Sequence, residues 1–420
     1  MIASTTLDFI IARRIDAATT DRARKVWLTF SLIANFSVLG FFKYFNFFLD
    51  SSVRVLQLVG RSDLPVSFLK IILPPGISFY TFQEVAYIVD VYQRKMKAAD
   101  SFVDYALFVS LFPHLIAGPI QRPSHLLPQV QQPRTFDSGK AFDGLLLILE
   151  GLFRKCVVAD NCALIANSAF SGTLGPLSLP IVLLGVYAFA WQIYGDFSGY
   201  SSIARGSAQL LGFHFMVNFR QPYFAQTLQE FWHRWHISLS TWLREYLYIP
   251  LGGNRHGSLQ TYRNLMLTML FGGLWHGANW TFVVWGGIHG GGLAVERLVA
   301  GRRPKAPSSV AGVWLRRIFI FHLVCLAWIF FRATSVTAAW DLLATLRFWY
   351  WGPECNATVR FLTFFILPLF ALDLLLERSG DEYLFESKSI NLRVLAGFAI
   401  MILVTFFSAN RANAFIYFQF

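Results

Sequence analysis

Apolar runs of about 20 residues, the length a helix needs to cross a hydrocarbon core, recur along the whole chain. The clearer ones are 26–49, 66–91, 102–120, 142–159, 178–195, 263–285, 315–332, 358–376 and 392–409. Two mixed stretches, 203–219 and 235–251, are ambiguous. Pro74-Pro75-Gly76 interrupts the second run and predicts a broken element there. Together these runs predict an all-α, polytopic integral membrane protein with about nine to eleven membrane-embedded helices, some of them re-entrant.

Composition supports that class. The 420 residues are 55% hydrophobic and only 14% charged, well outside the range of a soluble domain. The formal charge of +12 would raise nucleic acid as a partner for a soluble chain; here it reads as the positive-inside bias of cytoplasmic loops, with lipid as the partner and no nucleic acid. Arg13, Arg14, Arg22, Arg24 and Lys25 precede the first strong run, and Arg94, Lys95 and Lys97 follow the second, so two crossings place both clusters on one face. Arg302, Arg303 and Lys305, near Pro304 and Pro307, read as a further cytoplasmic loop. The stretch 121–140, "QRPSHLLPQVQQPRTFDSGK", reads as a long surface loop. Cys156, Cys162, Cys325 and Cys355 lack C-x-x-C spacing, which argues against disulfides and a zinc site. The N-terminus has no signal-peptide pattern, so insertion is expected through the chain's own spans. Residues 1–420 read as one integral domain.

Two stretches do not fit passive spans. Residues 219–256, "FRQPYFAQTLQEFWHRWHISLSTWLREYLYIPLGGNRH", combine a high aromatic density with Glu230, His233, Arg234, His236, Arg244, Glu245 and Arg255. Charges at membrane depth are tolerated only when paired or facing a wet cavity, so this segment lies at the interface or dips in as a re-entrant piece. Residues 271–290, "FGGLWHGANWTFVVWGGIHG", leave His276 and His289 inside an apolar run. Gly272, Gly273 and Gly277 allow close backbone approach, which can bring His236 and His276 together around an enclosed cavity. Imidazole is the side chain best suited to move a proton near neutral pH, as activation of a hydroxyl or thiol requires.

"FWHRWHISLSTWLREYLYIPLGGNR" followed by "GGLWHGANWTFVVWGGIHG" resembles the paired signature of the membrane-bound O-acyltransferase family, in particular the bacterial branch that includes the alginate O-acetylation membrane subunit and the protein that D-alanylates teichoic acids. "LPPGISFYTFQEVAYIVDVY" (73–92), "FPHLIAGPIQRPSHLLPQ" (112–129) and "QIYGDFSGYSSIARGSAQLLGF" (192–213) extend the likeness across about residues 20–340. The resemblance implies an essential histidine in Trp-His-Gly, here His276, and a second functional one in Trp-His-x-Ser, here His236. It also implies a helical fold around a tunnel, with an acyl thioester, acetyl-CoA in this branch, arriving from the cytoplasm as co-substrate and no bound cofactor. The acceptor the resemblance implies is an exported polysaccharide or a periplasmic acetyltransferase partner, and the location it implies is the bacterial inner membrane. Relatives carry additional hydrophobic sequence before "IASTTLDFI", so the chain is expected to be short at its N-terminus. It departs from the common pattern at His233, where Arg is usual, and at Ser202-Ile203, where Asp-Met is usual.

His276 is accordingly expected to be the general base and His236 its partner in orienting donor or substrate. His233 lies three residues before His236, on one face if the segment is helical, but no carboxylate completes a metal site. Arg244 suits the phosphates of a CoA-like donor, although a structural pair with Glu245 competes. Asn254 and Arg255 follow a Gly252-Gly253 turn that can approach a ligand closely. Asn279, about one helical turn from His276, is a candidate to orient it. His289 is expected to pack or cap near the end of its run, and Asp196 to make a structural hydrogen bond. Ser238 and Ser240 lie in no nucleophile elbow. The rival within the same chemistry is D-alanyl or other acyl transfer to teichoic acid, lipid or peptidoglycan. A transporter with an intramembrane His/Arg path is the rival of another class, and an inactive export scaffold a third.

Overall fold

The computed structural model describes residues 1–60, 68–300, 309–384, 386–410 and 415–416, and all regular structure among them is helical. Five of these helices are long and apolar enough to cross a membrane: Asp21–Leu58, Leu179–Leu210, Val310–Arg332, Pro353–Ser379 and Ile390–Phe407. Their outward faces are apolar, with Phe30, Ile33 and Phe36 exposed on the first, Ile318 and Phe319 on the third, Phe364 and Leu367 on the fourth and Phe398 and Phe406 on the last. A helix bordered by water would turn polar residues outward, so these faces identify a membrane protein. The chain divides into two compact units, Met1–Thr135 with Gly277–Asn279, and Phe136–His276 with Trp280–Phe420.

In the first unit, Ile2–Ala17 packs against Asp21–Leu39 and Ile77–Tyr92. Buried polar groups hold these helices in register. The Asp8 carboxylate accepts from Ser31 Oγ (2.5 Å) and Asn35 Nδ2 (2.7 Å), and Glu84 accepts from Thr5 Oγ1 (2.7 Å). Arg24, expected among the loop cations, is instead buried and donates to the Tyr92 carbonyl. The predicted break at Pro74-Pro75-Gly76 is present. Gly76 has φ +74°, and a Cβ there would stand 2.3 Å from the Leu115 carbonyl oxygen, so glycine is required.

Two expectations for this unit are corrected. The run 102–120 is not one span, because the helix Phe102–Ser110 ends before Pro113 and an irregular segment follows. The 121–140 stretch is not a surface loop throughout. Pro123–Gln131 is helical, and Gln121, Arg122, Leu126 and Leu127 are buried. Pro123 reads as a breaker in sequence but sits in the first helical turn, where its missing N–H costs nothing.

The second unit is built on two antiparallel-packed segments. Ser138–Leu152 continues through a π-helical stretch, Phe153–Ala159, into Asp160–Phe170, and lies against Leu179–Leu210. Glycines make that contact close: a Cβ at Gly206 would lie 2.3 Å from the Gly144 carbonyl oxygen, and one at Gly199 would lie 2.7 Å from that of Gly151. The mixed stretch 203–219 divides, since the helix ends at Leu210 and Gly212 (φ +79°) turns the chain into a non-helical segment. The run 263–285 is also two elements, Ser258–His276 and Trp280–Ala300. Arg302, Arg303 and Lys305 lie outside the described residues.

Gly206→Val should lower stability by about 1–3 kcal/mol, since backbone must move to admit the side chain. Gly40→Ala, whose new Cβ would meet nothing within 4 Å, should melt with the wild type. Thermal unfolding of the two variants in detergent tests the difference.

Candidate active site

Between Phe219 and Tyr248 the chain forms two short helices joined at a strained corner. Thr227 Oγ1 caps the first, Leu228–Arg234, by accepting from Glu230 N (3.0 Å). Glu296 takes the Leu228 N–H (2.6 Å) and the Gln229 N–H (3.3 Å), placing negative charge at the electropositive helix start. After Arg234 the chain folds back on 218–220: Arg220 N donates to Arg234 O, and Ile237 N donates to Asn218 O, each at 2.9 Å. The corner is His236, at φ 43° and ψ 53°, preceding the helix Ile237–Leu243. His236 is one of three non-glycine residues with positive φ among those described, the others being Arg94 and Gln221. A left-handed non-glycine residue costs on the order of 1–3 kcal/mol and persists only where its surroundings impose it.

His236 is fully buried. Its Nδ1 lies 3.2 Å from Asn218 Oδ1, and its Nε2 has no hydrogen-bond partner among the described residues. The ring meets Phe197 edge-on at 4.5 Å between centroids, and Trp275 and His276 at 5.9 and 6.5 Å. His276 is the last residue of Ser258–His276, buried and walled by Trp275, Trp285 and Phe331 at 5.1, 5.1 and 5.3 Å. Close packing of the two glycine-bearing helices sets that position, with the Cβ site of Gly273 2.2 Å from Phe282 O and that of Gly286 2.3 Å from Met269 O. The two imidazoles thus lie near each other, as expected, but neither lines the polar cavity found among the described residues.

Beside His236 lies a small polar cavity lined by Glu150, Arg154, Tyr194, Ser198, Ser201, Ser202, Arg205, Val217, Asn218, Phe219, Gln221 and Glu382. Arg154 spans its buried side, bonded to Glu150 (2.8 Å), Asp373 (3.2 Å) and the Tyr194 hydroxyl (3.1 Å). Arg205 pairs with Glu382 at 2.6 Å. Below the corner, Arg234 bridges Glu230 (2.7 Å) and Glu377 (2.5 Å). Burial works against its charge, but the Glu377 hydrogen bond and the two carboxylates raise its pKa above the ordinary value.

Other expected residues fall elsewhere. Arg244 is exposed on the turn Arg244–Tyr248. Asn254 and Arg255 are exposed after a glycine turn (Gly252 φ +107°, Gly253 φ +56°) that Asn264 holds through the Leu251 and Gly253 carbonyls. Asn279 is not one helical turn from His276, because the helix stops at His276 and the next begins at Trp280. His233 is exposed while His236 is buried, so the two do not share an environment. His289 packs, as expected, though not at an element end. It is buried mid-helix, parallel to Phe231 at 6.1 Å and edge-on to Trp285 at 4.9 Å. Asp196 makes the expected structural bonds, to Ile416 N and Lys155, at 2.7 and 2.8 Å. Asn218, Ser201 and the Arg154 cluster escaped sequence reading. The available signal was a lone Asn in "FMVNFRQPY" and an Arg three residues after Gly151, neither distinctive without the fold.

The family model described as MBOAT, membrane-bound O-acyltransferase family, matches residues 27–337. The chain is 46% identical over 346 residues to the probable alginate O-acetylase AlgI of Azotobacter vinelandii, covering 82% of this chain and 67% of that protein. It is 38% identical over 369 residues to the peptidoglycan O-acetyltransferase of Helicobacter pylori, covering 82% and 68%. Identity to the teichoic acid D-alanyltransferase of Streptococcus thermophilus is 29% over 237 residues, covering 53% and 56%. The chain thus spans about two thirds of the length of the first two relatives.

Arg154→Met should cost about 3–5 kcal/mol, because Glu150 and Asp373 are left as uncompensated buried charges. Adding Glu150→Gln and Asp373→Asn should recover part of that loss in the same melting measurement. Equal stability of the single and triple variants would exclude charge pairing as the cause.

Proposed function

The chain belongs to the membrane-bound O-acyltransferase family, and from that premise we propose that it moves an acyl group, foremost acetyl, from a cytoplasmic thioester to hydroxyls of an exported polysaccharide. The acceptor oxygen attacks the thioester carbonyl carbon, the new C–O bond replaces the C–S bond, and the hydroxyl proton passes to His276 and on to the departing thiolate. His236 is the second functional histidine. The observation that carries this reading is the buried meeting of the two imidazoles inside a wall of Trp and Phe rings. His236 Nε2 is buried without a partner among the described residues, at a cost of about 1–3 kcal/mol that packing alone gives no reason to keep. The same wall limits hydrolysis of the donor by keeping out bulk water.

The donor we propose is acetyl-CoA, acting as co-substrate. Arg244, Asn254 and Arg255 are the groups proposed to meet its polar end, since exposed guanidinium suits phosphate. Asn279, in the break that follows His276, completes the proposed set. We place the chain in the bacterial inner membrane as one integral domain of nine to eleven embedded elements around a tunnel, in contact with lipid and working with a periplasmic partner. The likeness to O-acetylating relatives at 46% and 38% identity favours acetyl over D-alanyl transfer, which the 29% relative keeps as the second reading.

In membranes carrying the native polysaccharide machinery, label from acetyl-CoA should reach the polymer with the wild type. His276→Ala at matched protein level should lose on the order of 10² to 10⁴ in rate. Full activity in that variant would remove His276 as the base, and label delivered only from a D-alanyl carrier would select the second reading.

A further inference from the structure

Asn218 Oδ1 receives three contacts: Ser238 N at 3.2 Å, Ser238 Oγ at 2.9 Å and His236 Nδ1 at 3.2 Å. A backbone N–H can only donate, so the atom that Ser238 N meets must be the amide oxygen rather than the nitrogen. The other end agrees, because Asn218 Nδ2 donates to Ser201 Oγ at 3.1 Å. The amide is therefore oriented by chemistry, and its oxygen has no proton to give. Facing that oxygen, His236 Nδ1 must carry the ring proton, since a bare Nδ1 would set two lone pairs against each other. In the neutral ring Nε2 is then unprotonated, and it is the atom without a partner among the described residues.

We propose that Asn218 is a positioning residue that holds His236 in its Nδ1–H tautomer, so that Nε2 offers a lone pair to a donor group of the acceptor beside the hydroxyl that His276 deprotonates, and cannot donate to the thioester carbonyl. The inference rests on the acyl-transfer reading and sharpens it by assigning His236 to positioning of the acceptor and leaving proton removal to His276. An oxyanion needs donors aimed at it, and a neutral His236 held this way supplies none. The backbone enforces the arrangement. The left-handed conformation of His236 and the bond from Ile237 N to Asn218 O bring the ring and the amide of the same two segments together. Asn218 also lines the polar cavity, so the group that sets the tautomer lies between that cavity and the imidazole.

Two measurements test this independently. ¹⁵N spectra of histidine-labelled wild-type protein, with the His236 signals identified by loss in His236→Gln, should show a protonated Nδ1 and a bare Nε2. A protonated Nε2 overturns the proposal whatever the activity. In the acetyl-transfer assay, Asn218→Leu should lower kcat on the order of 10² with KM for acetyl-CoA within roughly twofold, because the orientation of a catalytic imidazole is lost and donor binding is not. Asn218→Asp keeps an acceptor oxygen toward Nδ1 and should recover most of kcat. Wild-type kcat in Asn218→Leu, or no recovery in an Asn218→Asp protein that melts with the wild type, overturns the proposal. Absence of transfer in the wild type overturns the acyl-transfer reading instead, while the spectra still decide the tautomer.

Discussion

Glu150, Arg154 and Asp373 form one hydrogen-bonded ion cluster in the interior of the second unit, and the placement of three helical segments follows from it. An unpaired charge at membrane depth is too costly to keep. Arg154 can therefore be buried only if the segments carrying its partners come to it. Ser138–Leu152 brings Glu150, Leu179–Leu210 brings Tyr194, and Pro353–Ser379 brings Asp373. The second Glu150 oxygen takes the Leu384 N–H at 3.1 Å and draws in the connection beyond Ser379. Glycines at 144, 151, 199 and 206 make the approach sterically possible, since a side chain at any of them would meet backbone closer than 3 Å. Attraction and small size act together here; neither alone would seat a guanidinium between two helices.

That arrangement explains where the polar cavity is and why, through Asn218, it adjoins His236. The bonds of Arg154 and Arg205 are directed to carboxylates within the protein, so the cavity between them is polar yet nearly neutral. Its far wall is the 218–221 segment, which the fold-back after Arg234 holds against the strained corner at His236. Left-handed backbone and a buried imidazole whose Nε2 has no partner among the described residues coincide at His236. The strained backbone and the unpartnered nitrogen each cost on the order of 1–3 kcal/mol, and the proposed role of His236 rests on their coincidence.

Much of this was legible in the residues. Apolar runs announced the helices, and the two histidines and the Gly252-Gly253 turn stood out because their residue types conflict with a passive span. The errors share a physical origin. Hydropathy reports how apolar a run is but not where its backbone turns, so 102–120 and 263–285 read as single spans although irregular or broken backbone falls inside them. Proline content made 121–140 read as loop, although Pro123 begins a helix whose Leu126 and Leu127 are buried. Asn218 was invisible for a different reason. Its importance lies in two hydrogen bonds to residues 18 and 20 positions away, and no local pattern encodes such a pairing.

The break after His276 bears on how two nearby histidines can take different parts. His276 ends its helix, where the unsatisfied carbonyls of the last turn leave the negative pole of the helix dipole. A positive charge forming there on proton uptake meets a favourable field, worth about 0.3–1 kcal/mol at an ordinary helix end. His236 stands at the opposite pole, immediately ahead of the helix Ile237–Leu243, where the same field opposes a cation. On the proposed reading, these fields favour proton uptake at His276 and a neutral His236. Had 271–290 been the unbroken span its hydropathy suggests, His276 would sit mid-helix without that field.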